Sequence, residues 1–90
     1  MVESAEKLPS GNSTGGAVVR STTELGELIR QRRRALQLKQ LDIAGLGNTG
    51  NRFIVDLEAG KPTVQLQKAF DVLNLLGLEV VVRPRGAPGA

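Results

Sequence analysis

Two side chains able to read base edges stand next to each other at Asn51 and Arg52. An arginine guanidinium can pair with guanine O6 and N7 through two parallel bonds, and an asparagine amide can do the same at adenine N6 and N7. Thr49, Gly50 and Asp56 share their neighbourhood, and Lys39 and Lys61 flank it. Each of these lysines has two readings, a phosphate contact that carries no sequence information or a solvated lysine. Other chemistry has little to work with. The ninety residues contain no His and no Cys, which removes the usual general base, the commonest metal ligand and all thiolate and disulfide chemistry. We therefore expect no enzyme activity, no metal and no cofactor. The formal net charge of +3 is compatible with nucleic acid but does not demand it.

The elements that must position these residues are legible as helices. Ser21-Thr22-Thr23-Glu24 reads as a capping box, with the Ser21 hydroxyl accepting from the Glu24 amide and the Glu24 carboxylate reaching back to the Ser21 amide. A first helix follows from Thr22 to Ala35 or Leu36, with Leu25, Leu28, Ile29 and Leu36 on one face. Gly26 weakens it by about 1 kcal/mol against Ala. Arg30 and Arg32 read as a solvated face. A second helix fits Lys39 to Ala44 or Gly45, and Leu46-Gly47-Asn48 reads as a turn whose Gly and Asn accept positive φ. A third helix fits Gly50 to Leu57, capped by Thr49 and stopped by Ala59-Gly60-Lys61-Pro62. Thr63 is placed to cap a fourth, running to Leu76 with Leu66, Ala69, Phe70 and Leu73 in its stripe.

The middle pair is the informative one. Two short helices around a tight turn are expected to bury Leu41, Ala44, Ile54 and Leu57 against each other, Ala44 being small enough to let them cross closely. The second of the pair then projects its first side chains outward, where they can enter a major groove. Arg52 has two readings, base contact or phosphate contact. Thr49 is either a reader or only a cap, and Asp56 either a reader or a solvated acid. Asp42 and Asp56 interrupt an otherwise basic face. Gly45-Leu46-Gly47-Asn48-Thr49-Gly50 also spells G-x-G-x-x-G with Asp71 further on. That nucleotide fingerprint needs a strand before it and a βαβ unit around it, which this pattern does not provide.

Residues 1–20, rich in Ser, Gly, Asn and Thr, are expected to form a disordered arm, with 21–83 the folded domain and 84–90 a flexible tail. Leu78-Glu79-Val80-Val81-Val82-Arg83 reads as a strand by its β-branched content. Its backbone groups need a partner, and a second copy of the chain is the economical one. Leu78, Val80, Val81 and Val82 would then form a two-stranded lid in a homodimer. Met1-Val2-Glu3-Ser4 has no apolar run behind it, and no stretch approaches the roughly 18–20 apolar residues that span a membrane. The expectation is a soluble, cytoplasmic, nucleoid-associated protein.

From Leu38 onward, Gln40-Leu41-Asp42-Ile43-Ala44, the turn at Asn48 and Ile54-Val55-Asp56-Leu57-Glu58-Ala59-Gly60 resemble the helix-turn-helix of phage-repressor-like (XRE-type) regulators. Asn48 stands where that pattern has Gly. Within this class, Arg52-Phe53-Ile54-Val55-Asp56-Leu57-Glu58-Ala59-Gly60-Lys61-Pro62-Thr63-Val64, with Lys68-Ala69 and Val72 to Val80, is similar to the HipB-type antitoxins. The resemblance implies a mostly α, lambda-repressor-like bundle of four to five helices closed as a dimer by a C-terminal β-strand lid. It implies operator DNA as ligand, repression of the chain's own operon and a HipA-like Ser/Thr kinase toxin as partner. Gln40 matches the family glutamine that bonds to phosphate, and Arg33 the arginine that pairs with the glutamate after the third helix, here Glu58. Two rivals stay open: a free-standing repressor with no toxin, and an interaction module that binds no DNA.

Overall fold

The structure, a computed structural model, describes residues 16–86; the remaining residues of the expected arm and tail lie outside it. Four helices follow one another: α1 Thr22–Ala35, α2 Gln40–Leu46, α3 Asn51–Glu58 and α4 Leu66–Leu75. Their inner faces meet in a core of Ile29, Ile43, Ala44, Ile54, Leu57, Ala69, Val72, Leu73 and Leu76, flanked by Leu25, Leu38, Phe53, Val64 and Leu78.

Leu41 is not part of that core. It is 69% exposed, and Ile43 is fully buried in its place. The inward face of α2 runs through Gln40, Ile43, Ala44 and Gly47, which is helical spacing, and Leu41 lies one residue out of phase. Leu36, Leu66 and Phe70, also expected inside, are exposed. On α1 the inward positions are Gly26, Ile29 and Arg33, so an arginine takes the inward place one turn after Ile29.

All four helices end in the same way. The residue after each C-cap has positive φ: Gln37 at 61°, Asn48 at 53°, Gly60 at 82° and Gly77 at 76°. The paired return bonds of a Schellman motif accompany each, for example Thr49 N to Ala44 O at 3.0 Å with Asn48 N to Gly45 O at 3.3 Å. Gln37 carries no sequence signal for this role.

The helix starts differ from expectation. Glu24 N donates to Ser21 Oγ at 3.1 Å, but the Glu24 carboxylate accepts from the Arg20 amide, one residue beyond Ser21. Asp42 reaches back to the Lys39 amide at 2.8 Å, so this acid serves the start of α2. Thr49 does not cap α3, which begins at Asn51 with Gly50 before it and no side-chain cap. The Thr49 amide is already spent closing α2, and its Oγ1 is buried without a hydrogen-bond partner. Thr63 likewise lies in the turn before α4, whose N-cap is Gln65.

Arg32 is not merely solvated. Its Nε donates to Leu76 O at 2.8 Å, placing a cation at the carbonyl end of α4, where the helix dipole favours it. Beyond Leu78, which packs on the core, the chain pairs with nothing: no β-ladder is present among the described residues, and Val80, Val81 and Val82 are exposed. The expected strand therefore does not form within one chain. Ala17–Arg20 is exposed and joins no ladder either, and its Arg20 amide is taken by the Glu24 carboxylate.

Candidate nucleic-acid interface

The start of α3 is an open surface. Gly50, Asn51 and Arg52 are all exposed, and a Cβ on Gly50 would meet nothing within 4 Å. The sharp αL turn at Asn48 reverses the chain after α2, while Ile54 and Leu57 anchor α3 in the core. Its first residues are left outside, and Arg52 extends with 83% of its side chain accessible.

Asp56 draws two of the expected contact residues together. One of its oxygens lies 3.2 Å from Arg52 Nε and the other 3.5 Å from Lys61 Nζ, while its own side chain is only 17% exposed. Lys61 reaches this place because it closes the α3 terminus, its amide donating to Asp56 O at 3.0 Å. Arg52 and Asp56 are one helical turn apart and so share a face. Asp56 is thus neither a free acid on the surface nor a side chain presented outward. Its spacing to Arg52 was a readable signal; its contact with Lys61 needed the turn at Gly60.

Behind this surface lies a buried ionic network. Arg33 Nε donates to Glu58 Oε2 at 2.6 Å and an Arg33 Nη to Glu58 Oε1 at 2.9 Å, a bidentate pair. The other Arg33 Nη donates to Leu38 O at 2.9 Å, fastening the α1–α2 connection as well. Gln40 Nε2 donates to Glu58 Oε1 at 3.0 Å, so Gln40 is tied inward to α3. Burial pushes the Glu58 carboxyl pKa up, but the hydrogen bonds from Arg33 and Gln40 and the charges of Arg33 and Arg30 outweigh it and hold the pKa below its ordinary value. The Glu58 hydrogen bond in turn raises the pKa of Arg33. One network therefore connects α1, the start of α2 and the end of α3.

Lys39 is exposed at the start of α2. The G-x-G-x-x-G segment is the last turn of α2 and the reversal after it, with helix rather than strand before it, and Asp71 sits on α4 bonded to Gln67. No group of acids able to hold a metal occurs among the described residues, and no helix there is long and apolar enough to cross a membrane.

No protein-family model matches the chain. It is 42% identical over 71 residues to an uncharacterized HTH-type transcriptional regulator, y4mF, of Sinorhizobium fredii, covering 79% of this chain and 90% of that relative. Among solved structures it superimposes on a HipA-HipB-O2-O3 complex with a TM-score of 0.72 at 18% identity, covering 78% of this chain and 99% of that one. A HipB variant bound to an O2 20mer gives 0.73 at 18% identity, covering 79% and 99%. At that identity the likeness concerns the fold.

Proposed function

The chain belongs to the HTH-type transcriptional regulators, and on that premise we propose that it is a dimeric repressor that binds operator DNA upstream of its own gene. The observation that carries this reading is the exposed start of α3, where Asn51 and Arg52 project beside Lys61. Arg52 reads a guanine edge and Asn51 an adenine edge in the major groove. Lys39 and Lys61 meet phosphates, and so does Gln40, whose amide keeps a second hydrogen after bonding Glu58. Gly50 lets the backbone approach the duplex.

The dimer closes through the unpaired end of the chain. Val80, Val81 and Val82 are 54%, 68% and 92% exposed, and beside them a groove of about 400 Å³ runs past Phe70 and Leu73. Pairing of Leu78–Arg83 with the same segment of a second copy supplies the missing ladder bonds and covers these side chains. Sedimentation at micromolar concentration should give a dimer, and a monomer would remove the lid.

The partner protein we propose is a HipA-like kinase toxin. Support comes from the fold shared with the HipB chain of a HipA-HipB assembly. Titration against the product of a neighbouring HipA-like kinase gene separates an antitoxin from a free-standing repressor.

DNA reading is tested by fluorescence anisotropy with the upstream duplex and a scrambled one at two salt concentrations. Wild type should prefer the upstream duplex and weaken steeply with salt. Arg52→Ala should cost about 1–3 kcal/mol on the upstream duplex and much less on the scrambled one. Equal affinity of wild type for both duplexes would leave an interaction module instead.

A further inference from the structure

We propose that Asp56 is a positioning residue for DNA reading, which contacts no DNA and holds Arg52 and Lys61 in place, giving up sequence-blind affinity in exchange for discrimination. This rests on the DNA-binding reading above.

The geometry separates the roles of the three side chains. Asp56 is 17% exposed, against 83% for Arg52 and 51% for Lys61. A carboxylate withdrawn to that extent, with both oxygens facing cations, is poorly placed to accept from a base. It binds Arg52 at Nε, which leaves the two Nη groups at the end of the guanidinium free. Those are the donors that form the fork to guanine O6 and N7. The contact therefore fixes the root of the side chain and spares its reading edge. An arginine otherwise loses much rotamer freedom on docking, so a tether on its own helix reduces what binding must supply.

The same carboxylate restrains Lys61. Without Asp56 the two cations would present a double positive charge at the start of the reading helix; with it they present a single one. Attraction to phosphate is indifferent to sequence. Asp56 thus lowers the sequence-blind part of the affinity while sharpening the contact that distinguishes one duplex from another, and specificity is a difference of affinities. The acid that interrupts the basic face in the sequence becomes part of the reading apparatus.

Asp56→Asn keeps the size of the side chain and removes its charge. Anisotropy is measured for wild type, Asp56→Asn, Arg52→Ala and the double variant, each on the upstream and scrambled duplexes at several salt concentrations. Asp56→Asn should bind the scrambled duplex more tightly, with a salt slope steeper by about one. Its preference for the upstream duplex should fall by up to about fivefold, the range an exposed ion pair can supply, and by less than in Arg52→Ala, which loses the reading contact itself. In the Arg52→Ala background the further loss of preference should vanish, because the two act through one contact. Asp56→Glu, which keeps the charge, should restore part of the preference. Binding to the scrambled duplex reports in the same samples that each variant is folded. The proposal is overturned if Asp56→Asn keeps the wild-type preference. It is equally overturned if the loss persists undiminished without Arg52, which would make Asp56 itself the reader. If wild type shows no preference, the DNA-reading function fails first and the positioning role with it.

Discussion

Glu58→Gln is expected to lower stability by about 3–5 kcal/mol, because it leaves the buried Arg33 guanidinium facing a neutral amide. In a domain of this size each kcal/mol is worth roughly 4–8 °C of melting temperature, so thermal unfolding at neutral pH should move by well over ten degrees. The loss arises from the cation left behind, since a buried pair by itself adds little over well-packed apolar residues. A double replacement, Arg33→Met with Glu58→Leu, should therefore recover much of what the single one loses. The pH dependence follows from the direction of the Glu58 shift. Its pKa is lower in the folded chain than the ordinary 4.5, so the contribution is fully present above that value. It is lost as pH falls through the lower folded value. The gap in melting temperature between wild type and Glu58→Gln should accordingly hold from neutral pH to about 5 and narrow in stronger acid. Unchanged melting of Glu58→Gln at pH 7 would show that the network carries no stability.

Gly26→Ala is expected to destabilise the chain although it raises helix propensity. Alanine is worth about 1 kcal/mol over glycine in a helix interior, and Gly26 lies within α1. Yet a Cβ at Gly26 would sit 2.5 Å from Glu58 O and 2.6 Å from Leu57 O. These are backbone atoms at the end of α3, so no side chain can swing away to relieve the contact. Overpacking of this kind costs about 1–3 kcal/mol, occasionally more, and here it displaces the helix end that carries Glu58. Set against the gain in helix propensity, the net loss should be up to about 2 kcal/mol. Gly45→Ala is the natural comparison, since Gly45 is also helical and a Cβ there would meet nothing within 4 Å. Melting temperature should fall for the first variant and rise for the second. If Gly26→Ala also rose, the close crossing of α1 and α3 would be wrong.

The two glycines show where reading of the chain stops. In the sequence Gly26 is a cost to a helix and Gly45 a cost of the same kind. Nothing local distinguishes them, because the partner of Gly26 is a carbonyl more than thirty residues away. Leu41 and Ile43 pose the same problem. Both are apolar, and only the crossing of α2 with α3 selects which faces inward. Arg32 and Arg33 look alike in a basic run, but one ends against the last carbonyls of α4 and the other against Glu58.

What the chain determines by itself is what short-range physics controls. The four helices, the Ser21 cap and the reversals at Asn48, Gly60 and Gly77 follow from local pattern, capping chemistry and backbone freedom. So does the exposure of Asn51 and Arg52 at the start of α3. The expected cap at Thr49 fails because the turn that closes α2 has already claimed its backbone amide, and the one at Thr63 because α4 begins later, behind Gln65. Tertiary structure decides the contacts between residues distant in the chain: Gln40 on Glu58, Arg32 on Leu76 and the close approach at Gly26, and also Arg33 on Glu58, which the family resemblance implies and local pattern does not. Lys61 on Asp56 belongs with them in part, since it needs the backbone reversal at Gly60 to bring the ammonium back. Leu78–Arg83 falls on neither side, for a strand requires a second strand, and a single copy of this chain contains no partner for it among the described residues.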